Sequence, residues 1–227
     1  MSNENLWTTR DESIAYMHRS HPSRLDVMNR SFDLLDQIVD AFEAVSQESA
    51  YARVCGLTLL KAKNLAFGSY SLILDGLGQE TGALMRPMIE YLELLIYFRM
   101  FPESVEKATT NTLPSAGKRA EAINGIYKEF REHLNTHASH SSFSDYSLLH
   151  LLESDLSSFK FKKQQIMAPR VLDTNVRDLA VQLHMLLLQA ARALEPTNAT
   201  QFIAIAAGVD KLKARMFDVF DLNSDTL

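Results

Sequence analysis

Apolar residues recur at intervals of three and four along most of the chain. Between Leu25 and Val45 they fall at Met28, Phe32, Leu35, Val39, Phe42 and Val45, the spacing of an amphipathic helix with one buried face. Tyr51 to Leu77 is apolar around most of its circumference, with Lys61 and Lys63 as the main charged interruptions, which predicts a central helix. Gly76-Leu77-Gly78 supplies a break, because glycine readily takes the left-handed cap. A partner helix then runs from Gln79 to Phe98, and Pro87 predicts a kink or a helix start within it. Ala116 to about His137 is a further helix, with Ala120, Ile123, Ile126, Tyr127, Phe130 and Leu134 as its apolar set. A short helix is expected from Tyr146 to about Leu156, then an extended connector at Phe159–Lys163. Two more helices, Thr174 to Leu194 and Asn198 to Phe220, flank Pro196. Thr174 or Asn175 and Thr197 or Asn198 are their candidate caps.

These elements predict an all-α fold: a single helical bundle of six or seven helices whose central antiparallel pair is Tyr51–Leu77 against Gln79–Phe98. Composition agrees, since 46% hydrophobic content in 227 residues can close a substantial core, while 8 glycines and 6 prolines leave little turn chemistry for a many-stranded sheet. Residues 1–23 are polar and read as a flexible N-terminal arm, 24–222 as the helical domain and 223–227 as a tail. The amino terminus has no signal-like apolar stretch, and no run is long enough to span a bilayer, so the expectation is a cytoplasmic chain with no membrane partner. The one cysteine, Cys55, has no internal disulfide partner and reads as a small buried side chain.

The net charge of -5 argues against a surface that grips DNA, but the charge is uneven. Asp11 to Glu106 holds 8 Lys+Arg against 14 Asp+Glu, whereas Lys107 to Arg170 holds 9 against 6. The basic segment contains His133, His137 and His140 with Glu129 one turn earlier, an i, i+4, i+7 series that a helix would place on one face. Histidine titrates near neutral pH and ligates metals as the neutral ring, which makes this stretch the first candidate for chemistry. The second is Arg86 and Glu90, one turn apart in an apolar helix. Burying either charge alone costs several kcal/mol, so burial demands a partner.

A long apolar helix, a Gly-x-Gly break, the run Leu84, Arg86, Glu90, Tyr91, Tyr97, and the downstream Leu134-Asn-Thr-His137-Ala-Ser-His140 together resemble a large uncharacterised family of all-helical bacterial proteins that is distantly HEPN-like. The resemblance covers roughly Tyr51 to Phe143. HEPN ribonucleases carry an Arg, four to six residues, then a His, and Arg131 and His137 match that spacing. The resemblance implies a toxin or defence protein that acts on RNA by metal-independent cleavage at a site formed in a homodimer. His137 would move a proton, Arg131 would pair the phosphate, and Arg86 and Glu90 would organise the site, with no cofactor needed. The sequence departs from the family at Glu132, whose carboxylate must point away from any phosphate.

Two alternatives stand beside this. One is a non-catalytic helical interaction or ligand-binding module in which the same residues hold a polar core together. The other is a divalent-metal site built from His133, His137 and His140, with Glu129, Glu90 or His184 completing it. One helix spreads the three histidines over about 10 Å, long for a single ion. His150 and His184 lie in apolar helical sequence and read as core histidines. The chain has no phosphate-binding glycine loop, zinc ribbon or nucleophile elbow.

Overall fold

The computed structural model describes residues 7–137, 151–152 and 167–222. Among them the chain is all-α, with nine helices: α1 (Thr8–Ser20), α2 (Pro22–Val45), α3 (Ala50–Leu74), α4 (Gly78–Met100), α5 (Val105–Thr109), α6 (Ala116–Ala122), α7 (Lys128–His137), α8 (Pro169–Leu194) and α9 (Phe202–Val219). The expected elements at Tyr146–Leu156 and Phe159–Lys163 fall almost wholly outside the described residues. Five long helices, α2, α3, α4, α8 and α9, carry the bundle, and α3 packs against α2, α4 and α8. In its core Leu35, Ile38 and Phe42 from α2, Leu59 and Ala66 from α3, Leu92 and Leu95 from α4, and Leu183, Leu186 and Leu187 from α8 are all fully buried, whereas Leu57, Leu60 and Phe67 on the other side of α3 are exposed.

Pairs of side chains fix the helix directions. Gly68 lies against Leu84 and Lys61 lies over the Tyr91 ring, so α3 and α4 are antiparallel. Phe32 packs edge-on to Phe67 and Asp36 pairs with Lys63, which makes α2 and α3 antiparallel as well. Met85 meets Gln182 and Gly78 meets Asn175, positions that advance together, so α4 and α8 run parallel; the long crossover between them permits it. Asp26 pairs with Arg215 at 2.8 Å and Gly208 lies against Leu34, so α9 returns antiparallel to α2. One end of the bundle therefore gathers the N-termini of α2, α4 and α8 beneath α1. The opposite end gathers the N-terminus of α3 and the C-termini of α4 and α8.

Three local features differ from the periodicity. Residues 8–20, expected as part of a flexible arm, form α1 and bury Met17 together with the small polar Thr9 and Ser13. A narrow stripe of that kind has no apolar signature. The helix expected from Ala116 to His137 is broken into α6 and α7 because Asn124 and Gly125 both take positive φ, +62° each, which glycine and asparagine tolerate best. Helix α8 begins at Pro169, with proline in the first turn where no N–H is required, so Asn175 is an interior residue rather than a cap. Helix α4, by contrast, runs on through Pro87. Ser49 caps α3, its hydroxyl accepting from the Ala52 N–H at 3.1 Å.

Candidate functional site

Helix α7 lies against α4, and the contact is ionic at its centre. Arg131 Nη1 donates to Glu93 Oε2 at 3.1 Å, with the Glu93 side chain 2% exposed and that of Arg131 15%. Glu93 stands four residues after Ile89 and three before Ile96, on the apolar face of α4, so the fold carries a carboxylate into the bundle and α7 supplies its counter-charge. Burial pushes the Glu93 carboxyl above the usual carboxylate range, and the positive charges of Arg131 and Arg119 only partly offset it. Among the described residues Glu93 Oε1 has no hydrogen-bond partner. Next to this pair the Tyr127 hydroxyl accepts from Gln189 Nε2 of α8 at 3.4 Å, and burial raises its pKa. Gln189 Oε1 is a second buried acceptor without a partner among the described residues. A polar seam thus runs between α4, α7 and α8.

The residues singled out from the sequence fall around this seam without forming one constellation. Arg86 and Glu90 pair with each other at 3.2 Å on the half-exposed side of α4. Arg131 is engaged by Glu93, a residue the sequence reading passed over, although an acidic side chain in register with Ile89 and Ile96 was the available signal. Position 137 is the last residue of α7; six residues after Arg131, it stands about 120° from it around the helix axis. The His137 side chain and the whole of His140 lie outside the described residues, as does His150. His133 and Glu129 are exposed. Glu132 is exposed too and lies 3.9 Å from Lys128, which turns its carboxylate toward solvent.

Among the described residues no group of three His, Cys, Asp or Glu side chains is arranged to hold a metal ion. His184 is buried in α8 and faces α9, where Lys213 and Asp210 are the charges that act on it; burial brings its pKa down to about 4. Such a ring is neutral over the physiological range. Cys55 is buried one turn after Tyr51, and burial lifts its thiol to about 12. No described helix is long and apolar enough to cross a membrane.

Toward the far end of α4 and α8 the seam continues to Arg99 and Arg192, whose charges act on the Tyr127 hydroxyl. Arg99 acts on Tyr51 as well. No family model, curated protein or solved structure matches the chain, so function rests on this geometry.

Proposed function

We propose that this chain is a non-catalytic helical binding module. The observation that carries the reading is the Arg131–Glu93 pair: the guanidinium that a HEPN-type reaction would place on a phosphate is instead held inside the bundle by a buried carboxylate. Releasing it would leave Glu93 buried without its counter-charge, at a cost of several kcal/mol. The alternative is the metal-independent ribonuclease at a homodimer cleft that the family resemblance implies.

Incubating the full-length chain with single-stranded RNA separates the two. The binding-module reading expects no cleavage above that of buffer, and no change on substituting Arg131→Lys or His137→Ala. Cleavage by the parent that disappears in both variants while their circular dichroism stays native overturns it. Sedimentation adds a second measure, because a monomer has no dimer cleft in which the alternative could act.

A further inference from the structure

The end of the bundle where α3 begins and α4 and α8 finish holds a cavity of about 400 Å³. Arg99 and Arg192 line it together with Tyr51, Pro102, Glu195 and Pro196. Among the described residues neither guanidinium has a hydrogen-bond or ion-pair partner, although Arg99 is half-buried. The Tyr51 hydroxyl beside Arg99 is buried, with the Cys55 thiol of the next turn as its weak polar neighbour. The contrast with the larger groove between α2 and α9, about 670 Å³, is instructive: there Arg30 and Arg215 are both spent on Asp26. An arginine held at a pocket wall with its donors unused is a fork suited to bidentate recognition of an oxyanion.

We infer that this cavity binds a small organic oxyanion, a phosphate or carboxylate joined to a compact apolar body, with Arg99 and Arg192 on the anionic group. The ring of Tyr51 and the two prolines supply apolar wall for the body of the ligand, and the cavity lies in the size range of small-molecule sites. Glu195 leaves the lining with a net charge of +1, which favours one anionic group over a polyanion. The other role open to the two arginines is as cations in the last turns of α4 and α8, complementing the helix dipoles. That role gives no saturable ligand binding, and so the two are separable.

The inference deepens the binding-module reading by naming a ligand class, yet it uses neither Arg131 nor His137. RNA cleavage dependent on those residues would overturn the module and leave this pocket standing. The test is calorimetric titration of the full-length chain with phenyl phosphate, benzoate and inorganic phosphate at constant ionic strength. Saturable binding of phenyl phosphate or benzoate is expected, weakened at least about tenfold by Arg192→Gln and by Arg99→Gln, and unchanged by Lys211→Gln on the distant α2–α9 groove. Preference for phenyl phosphate identifies a phosphate ligand and preference for benzoate a carboxylate. Weaker binding of inorganic phosphate measures the contribution of the apolar wall. Absence of saturable binding of all three probes, or equal binding by the parent and the arginine variants, overturns the inference. Should Arg99→Gln fail to fold, Arg192→Gln decides alone, because Arg192 is exposed and its removal leaves the core intact.

Discussion

The two ends of the bundle use the same residue types in opposite ways. At the α1 end, Arg10 Nε donates to Asp75 Oδ1 at 2.7 Å and its Nη2 to the Ser71 hydroxyl at 2.6 Å. Asp173 there receives the Tyr16 hydroxyl at 3.1 Å and draws in Arg24 and His21 at 3.2 and 3.3 Å. Arg24 also lies over the Phe220 ring. Arg10 and Arg24 are thus both spent on tying helix ends together. At the opposite end Arg99 and Arg192 have no hydrogen-bond or ion-pair partner among the described residues, and their charges act only through space on Tyr127 and Tyr51. The difference lies in the arginines that line packed ground: Arg10 and Arg24 are clamped at one end, Arg99 and Arg192 face a cavity at the other.

The largest expected effect belongs to neither end but to the seam between them. Arg131→Met leaves Glu93 buried alone and should cost about 3–5 kcal/mol near neutral pH, read by urea unfolding. The sign of its pH dependence follows from Glu93. Its carboxyl is raised in the folded state, so its contribution is present at low pH and is lost as pH rises through that raised value. Removing Arg131 raises it further, and the deficit should be larger at about pH 8 than at about pH 5. An equal deficit at both would mean that the pair is not electrostatic in character.

His184 should produce the next effect, with the opposite sign. Its folded pKa of about 4 lies below the unfolded value of 6.5, so stability is complete above 6.5 and falls as pH drops toward 4, by about 3 kcal/mol over that window. In His184→Leu this part of the acid sensitivity should vanish from stability measured across the same range. At the fastened end, Gly78→Ala drives a methyl into the Asn175 side chain and should cost about 1–3 kcal/mol, much of it recovered when Asn175→Ala is added. No recovery in the double variant would place the strain elsewhere. The smallest effects sharpen the comparison itself. Arg10→Ala should lose about 1 kcal/mol from a partly exposed clamp, and Arg192→Gln should stay within about 0.5 kcal/mol of the parent in thermal unfolding. If Arg192→Gln proved the more costly, the distinction between the ends would fail.

The long helices were legible because their burial is one-sided and local: Met28, Leu35 and Phe42 announce α2 from within α2. The antiparallel α3–α4 pair was legible for the same reason, since Gly76, at φ +77°, permits the turn between two neighbouring apolar helices. The parts that escaped depend on distant partners or on small polar contacts. Glu93 and Arg131 are separated by 38 residues in sequence, whereas Arg86 and Glu90 advertise their pairing one turn apart. Arg99 and Arg192 line one cavity only because α4 and α8 run parallel, which periodicity does not encode. Helix α1 escaped because Ser13 and Thr9 serve as buried residues. The break at Asn124-Gly125 was written in turn chemistry but outweighed by the apolar residues on either side.

Cys55 turns the open end into its own reporter. Alkylating reagents attack the thiolate, and a fully buried thiol raised to about 12 offers almost none while α3 is packed. Modification of this one sulfur therefore proceeds only through opening of the helix that starts at the cavity. Its rate acts as a clock for local unfolding, read by mass in native buffer without denaturant. An occupant held by Arg99 beside Tyr51 would slow that clock in proportion to its occupancy.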